Sequence, residues 1–130
     1  MKHTGLLSLI LVLAACVWPS QSRQPELWKL PDGYEGWVYS TWDTARCPSL
    51  PLKDGYIVVE VPADGVACTS TKFQEGVASD RFVYVSADGA QTEIPRTRAH
   101  KRIMGSGSHD VYVFIGSDED FARVTPMPPR

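Results

Sequence analysis

The sequence has almost no excess of charge, no internal repeat and no long helical pattern. Its 13 basic and 15 acidic side chains give a formal net charge of -2 at pH 7, with the histidines neutral. Proteins that bind nucleic acid usually carry a clustered positive surface, so no nucleic-acid partner is expected. With 130 residues, the chain is long enough for one domain and too short for two comfortable cores.

Long hydrophobic runs are also missing. The apolar segment at residues 5–15 has eleven residues, whereas a membrane-spanning helix needs about twenty. Lys2 and His3 precede this segment, and the combination is typical of a secretory signal peptide over residues 1–15. A buried N-terminal helix is the alternative, but no later segment continues its period.

Cysteine is scarce, and the first of the three cysteines stands where the apolar segment ends. The stretch Leu13-Ala14-Ala15-Cys16 resembles the lipobox of bacterial lipoproteins. The resemblance implies cleavage before Cys16 and attachment of a diacylglycerol with palmitate-like chains to its thiol. Each buried methylene contributes about 0.8 kcal/mol, so two or more acyl chains give a stable membrane anchor.

The residues after Cys16 predict a tether and a location. Residues 16–26 are polar and contain prolines, which is typical of a lipidated N terminus followed by a flexible stalk. Val17 takes the place at which an aspartate often retains lipoproteins in the inner membrane of Gram-negative cells. In such a cell the lipobox resemblance therefore implies the outer membrane, with the protein facing the periplasm.

Cys47 and Cys68 are the two other cysteines. If Cys16 is lipidated, an even pair remains, and exported compartments are oxidising, so a disulfide is predicted between them. It would close a loop of about 22 residues and contribute roughly 3 kcal/mol. Two separate buried thiols are the alternative. A metal site is not expected, because no histidine or further cysteine lies at ligand spacing near either residue.

Ten glycines and ten prolines divide the rest of the chain into short β-branched and aromatic runs. This pattern predicts a mainly β fold, a small antiparallel β-sandwich-like domain over residues 27–124 with a short C-terminal helix capped by Ser117. Residues 56–61 and 81–86 are expected to be central strands, and residues 66–70 a hairpin partner after the Asp64-Gly65 turn. The tail at residues 125–130 is expected to be disordered. Further strands are predicted at residues 36–42, 91–94 and 111–115.

Several segments in a fixed order resemble a family of small bacterial lipoprotein domains, the domain-of-unknown-function family 6843. They include PLKDGYIVVEVP at residues 51–62, GVASDRFVYV at residues 76–85 and FIGS at residues 114–117. The resemblance covers residues 27–123. The family has no assigned activity, so it implies no functional residue, and Cys47 and Cys68 depart from its pattern.

Two polar segments have both a structural and a functional interpretation. Residues 96–102, RTRAHKR, favour a solvated basic loop, with binding of phosphate or lipid headgroups as the alternative. In residues 105–110, GSGSHD, a hydrolase site would use Ser106 or Ser108, His109 and an acid. Neighbouring side chains are poor triad partners, so a flexible hairpin loop is favoured there.

Aromatic residues are concentrated in the first third of the predicted domain. Trp28, Trp37, Trp42, Tyr34 and Tyr39 favour core and inter-sheet packing, and a glycan-binding platform is the alternative.

These patterns predict a lipid-anchored cell-envelope protein that is a non-catalytic binding or structural module. Its expected contacts are the membrane, through lipid on Cys16, and an envelope protein or glycan. No catalytic residue, cofactor or metal is predicted. An inhibitor or immunity lipoprotein is one alternative, and the hydrolase at His109 is the other.

Overall fold

A computed structural model describes residues 22–104 and 109–124. The predicted signal peptide at residues 1–15, Cys16, the serines at 106 and 108, and the predicted tail at residues 125–130 lie outside the described residues. Within the described part, the chain forms nine strands, one 3₁₀ turn and one α-helix. They are β1 (Glu26–Pro31), β2 (Gly36–Thr41), β3 (Leu52–Lys53), β4 (Tyr56–Glu60), β5 (Val66–Cys68), β6 (Arg81–Val85), β7 (Gln91–Glu93), the turn Arg96–Arg98, β8 (Ala99–Met104), β9 (Asp110–Ile115) and α1 (Asp118–Arg123).

The strands form two sheets that enclose the core. Sheet one has five strands in the order β3-β4-β1-β6-β7, and sheet two has four in the order β5-β2-β9-β8. The predicted central strands, β4 and β6, each pair on both edges, with β1 between them. The mainly β class with a short C-terminal helix is therefore confirmed.

The pairing differs from the antiparallel arrangement that the sequence predicts, since both sheets are mixed. β1 runs parallel to β4 and to β6, and β2 runs parallel to β5. The predicted hairpin of residues 66–70 with β4 is wrong. The Asp64-Gly65 turn instead carries the chain from sheet one to sheet two, where β5 pairs with β2. Gly65 has φ 75°, and the Tyr34 hydroxyl occupies the place that a Cβ would need, so glycine is favoured there.

The core lies between the sheets and consists of inward-facing aromatic and β-branched side chains. Trp28 is fully buried and stacks on Phe82 with ring centroids 6.0 Å apart, and the ring of Trp42, which directly follows β2 of the opposite sheet, is centred 6.4 Å from that of Trp28. Trp37 and Tyr39 point to the outer face of sheet two, because they alternate with buried Val38. The aromatic group predicted from sequence therefore divides between the core and an outer face.

Helix α1 covers part of that outer face. The Ser117 hydroxyl accepts a hydrogen bond of 3.1 Å from the Asp120 amide, which confirms the predicted cap. Phe121 stacks on His100 at a centroid distance of 4.3 Å, and its ring is tilted against Phe114 at 5.8 Å. A six-residue helix is too short to be stable alone, so this aromatic packing is what holds it on the sheet.

The basic segment at residues 96–102 is not the solvated loop that its composition favours. It forms the 3₁₀ turn and the first four residues of edge strand β8. Its cations point in different directions, because Arg98 pairs with Glu35 at 3.2 Å and Arg102 lies 4.7 Å from the Phe121 ring. Lys101 turns inward. These three cations are therefore not gathered into one anion-binding patch.

Candidate functional site

A buried ion network joins the N-terminal end of the described chain to both sheets. The Arg23 guanidinium donates to both Asp80 carboxylate oxygens, at 2.8 and 2.6 Å. Lys101, on sheet two, donates to Glu26 at 2.7 Å and to Asp80 at 3.3 Å. The Trp28 indole N–H donates to Glu26 at 3.0 Å. Two cations and two anions therefore share one small volume, and the network is formally neutral.

The network is well shielded from water. The exposed fractions of the side chains are 3% for Glu26, 8% for Arg23, 11% for Asp80 and 18% for Lys101. Burial alone would raise the pKa of Asp80, but the hydrogen bond from Arg23 and the charge of Lys101 outweigh it and lower that pKa. The hydrogen bond to Asp80 likewise raises the pKa of Arg23. Because every charged member has a partner of opposite charge, the network holds the start of the domain against both sheets.

A cleft opens where β5, at the edge of sheet two, lies across from β4 of sheet one. It encloses a cavity of about 400 Å³, which is in the lower part of the ~300–1,000 Å³ range of small-molecule sites. Core residues Trp42 and Val59 form part of its lining, and the other lining residues are mostly apolar. The described residues lining this cleft form the candidate functional site.

A disulfide forms part of the cleft wall. Cys68 lines the cavity and is bonded to Cys47, with a Cα–Cα distance of 5.7 Å, so the predicted pairing is confirmed. Next to it, the Thr69 hydroxyl donates to the Pro48 carbonyl at 2.8 Å. These two links attach the segment after β2 to β5, so the wall is cross-linked.

The disulfide has a measurable consequence for stability. We expect the double replacement Cys47→Ser and Cys68→Ser to lower the free energy of unfolding by about 3 kcal/mol. The two cysteines are 21 positions apart in the sequence, and without the bond the unfolded chain regains the conformational entropy of that loop. Urea unfolding of the variant and the wild type measures the difference. A reduced wild-type sample should match the variant, and an unchanged midpoint in both samples would refute the expectation.

The residues of the hydrolase alternative are only partly brought together. His109 Nδ1 lies 3.2 Å from Asp43 Oδ2, and the exposed fractions of these side chains are 49% and 30%. Asp43 also accepts a hydrogen bond from the Phe73 amide. Ser106 and Ser108 lie outside the described residues, so the pair is a surface contact without a described nucleophile. Within the described ranges, no group of three or more metal-ligating side chains occurs.

Sequence reasoning missed both the ion network and the cleft. Arg23 and Glu26 fall in the segment predicted as a stalk, although β1 begins at Glu26. Ser22 also forms a bridge with Val77. Lys101 lies in the segment whose composition favours a basic loop, and it is 75 residues from Glu26 in the sequence. The chain thus joins the fold earlier than its composition predicts.

Among the residues with described structure, no helix is long and apolar enough to cross a membrane.

Comparison with known proteins gives a family and a related structure. The chain resembles a protein from Bacillus anthracis, provisionally described as a lipoprotein, whose crystal structure matches with a TM-score of 0.67. The two are 24% identical, and the match covers 82% of each chain, so the likeness concerns the fold. No curated protein matches the sequence. Residues 22–124 match the Family of unknown function (DUF6843), and the chain therefore belongs to that family.

Proposed function

We propose that the protein is a lipid-anchored component of the bacterial cell envelope, and that its β domain is a non-catalytic binding module whose site is the cleft beside the disulfide. The observation that carries this proposal is the Cys47–Cys68 disulfide. Disulfides persist in exported, oxidising compartments. The pairing also leaves Cys16, at the end of the apolar segment, as the third cysteine.

With lipid on Cys16, the ion network would limit how far the start of the domain lies from the membrane. Arg23 is held against Asp80, and it stands seven positions after Cys16, with six residues between them. A fully extended chain of that length spans about 25 Å at most. The start of the domain is therefore kept close to the bilayer surface, where envelope proteins, glycans and small molecules of the envelope are available as partners. In a cell with two membranes, Val17 favours the outer membrane and a domain that faces the periplasm.

The related protein from Bacillus anthracis supports the anchor, since it is itself provisionally described as a lipoprotein. The cleft supports binding, because apolar cavities of this size with a few polar groups are typical of ligand sites. Neither the inhibitor alternative nor the hydrolase alternative gains a comparable observation from the described residues.

The anchor is tested by replacing Cys16 with serine in the full chain. We expect the variant to lose labelling by an alkyne analogue of palmitate and to leave the carbonate-washed membrane fraction, because a hydroxyl does not accept the lipid. Immunoblots of fractionated cells measure both effects. Ser20→Ala, which keeps the lipobox, is the matched control and should behave as wild type. Normal labelling and processing of Cys16→Ser would refute the proposal.

A further inference from the structure

The cleft is bordered by two strand edges, one from each sheet. Val58 and Glu60 line it, yet along β4 they alternate with core residues. Their side chains therefore point away from the core, and it is their backbone that faces the cleft. Val66 and Cys68 stand in the same relation to Ala67, which packs against the core from β5.

The edge of β4 that faces the cleft carries open peptide groups. The Val61 amide donates to the Lys29 carbonyl of β1 at 2.9 Å. Because successive peptide groups of a strand alternate in direction, those of Val58 and Glu60 face away from β1. On that side the Val58 amide donates to the Pro51 carbonyl at 2.9 Å. The Glu60 N–H and the carbonyls of Val58 and Glu60 have no partner within residues 22–104 and 109–124.

The edge of β5 repeats this arrangement on the opposite wall. The Thr69 amide donates to the Thr41 carbonyl of β2 at 2.9 Å, so the peptide groups of the residues one position away from Thr69 face away from β2. Among the residues with described structure, neither the Cys68 N–H nor the Val66 carbonyl has a partner. Both walls of the cleft therefore present unpaired backbone donors and acceptors.

The side chains of the cleft add little polarity to these backbone groups. The Ser40 hydroxyl donates to the Val111 carbonyl at 3.0 Å, and the Thr69 hydroxyl donates to the Pro48 carbonyl at 2.8 Å. Most of the other lining side chains are apolar. A ligand that suits this cleft pairs with rows of N–H and C=O groups and also carries apolar side chains, and an extended peptide does both.

We propose that the cleft binds an extended peptide segment of another protein, which adds a strand to the open edge of β4 and places apolar side chains in the cavity. Alternate side chains of a strand point to the same face. The cavity of about 400 Å³ equals the volume of roughly 13 waters at ~30 Å³ each, which is room for two side chains of leucine size. This inference rests on the proposed function in taking the cleft as the binding site, and it adds the class of partner.

The short open edge suits such a segment better than a second folded copy. Pro51 pairs with Val58 at one end of the open groups, and Pro62 follows β4 at the other. Natural sheets use proline at an edge to block pairing with another sheet. Residues 125–130 of this chain include three prolines, which lack the N–H that a strand ladder needs. A segment of a different protein is therefore the occupant that fits.

Amide hydrogen exchange of the full chain tests the proposal. The mature chain is reconstituted in phosphatidylcholine nanodiscs, and exchange is read at single residues by mass spectrometry, with and without the peptide acetyl-KTLTVTK-amide. We expect the Glu60 amide to exchange fast in the free protein and about tenfold more slowly at a peptide concentration about ten times the dissociation constant. Val59, which lies in the ladder with β1, is the internal control and should exchange slowly in both states.

Two results of this experiment would overturn the proposal. One is an exchange rate of the Glu60 amide that the peptide does not change. The other is slow exchange of that amide in the free protein, which would show that a terminal segment of this chain or a second copy already covers the edge.

Two matched comparisons separate backbone pairing from side-chain contact, with affinities measured by ligand-observed NMR in the same nanodiscs. Glu60→Pro removes the open N–H and puts a ring in the path of the added strand, so it should weaken binding at least about tenfold. Glu60→Ala keeps the N–H and should bind as wild type. N-methylation of the three central residues of the peptide removes its donors and should weaken binding to the wild type at least about tenfold.

Equal affinities of the two peptides would refute the proposal, and so would a folded Glu60→Pro variant that binds as tightly as the wild type. Near-ultraviolet circular dichroism verifies the packing of both variants. The exchange measurement and the comparison of peptides use the wild type, so they decide the outcome even if Glu60→Pro does not fold.

Failure of this inference can be told from failure of the proposed function. The exchange experiment measures strand addition in a reconstituted protein and does not depend on where the cell places it. The Cys16→Ser experiment measures the anchor and does not depend on any partner. A Glu60 amide that the peptide leaves unprotected, together with normal lipidation, would refute the class of partner alone.

Discussion

Replacing Asp80 by asparagine is expected to lower the free energy of unfolding by about 3–5 kcal/mol. Asparagine keeps the shape of the side chain but removes its charge, so Arg23 and Lys101 are left with Glu26 as their one buried counter-ion in the network. Because these groups are almost fully shielded from water, solvent compensates little of the lost pairing. Urea unfolding of the reconstituted protein, followed by tryptophan fluorescence, measures the difference.

A second ion pair on the same sheet provides a matched control. Arg81 and Glu93 form a similar two-bond contact, at 3.1 and 2.8 Å, but their side chains are 41% and 54% exposed. Glu93→Gln should therefore cost only about 0–1 kcal/mol. If Asp80→Asn and Glu93→Gln have the same small effect, the buried network does not stabilise the domain as its geometry indicates.

The network also predicts how stability depends on pH. The pKa of Asp80 is lower in the folded chain than in the unfolded chain, so its contribution is present above the unfolded value of about 3.9. That contribution is lost as the pH falls through the folded value. The wild type should therefore lose stability steeply in that acidic range, and Asp80→Asn should lose less there. Parallel acid limbs in the two proteins would contradict the assignment to Asp80.

The strands that sequence predicts correctly are those whose own residues favour extended structure. Residues 56–61 and 81–86 are β-branched and aromatic runs bounded by turn residues, so local preference and burial agree. The same holds for β9, and for the Ser117 cap, which depends on residues three positions apart. The disulfide was predictable because the cysteine count and the predicted export of the chain constrain it independently of the fold.

The elements that the sequence does not predict are formed by segments that lie far apart in the chain. β1 is not predicted as a strand, yet it is the centre of sheet one because β4 and β6 both pair with it. β8 is rich in cations, yet it becomes a strand because it pairs with β9 along its whole length. Parallel pairing leaves no short turn in the sequence to signal it. The cleft is likewise formed by segments that meet only because the chain crosses from β4 in sheet one to β5 in sheet two.

Replacing Val59 by aspartate is expected to largely unfold the domain. Val59 is 2% exposed, lies in the core, and is the register partner of fully buried Trp28. A carboxylate there has no described cation beside it, so burying it should cost several kcal/mol, against a reserve of about 5–15 kcal/mol for a domain of this size.

Val77→Asp is the matched control for this substitution, because the same change is made at a valine that is 71% exposed. It should alter the free energy of unfolding by no more than about 0.5 kcal/mol. Thermal melts of the two variants and the wild type, followed by near-ultraviolet circular dichroism, measure the difference. A melting temperature for Val59→Asp equal to that of the wild type would mean that β4 does not face the core at this residue.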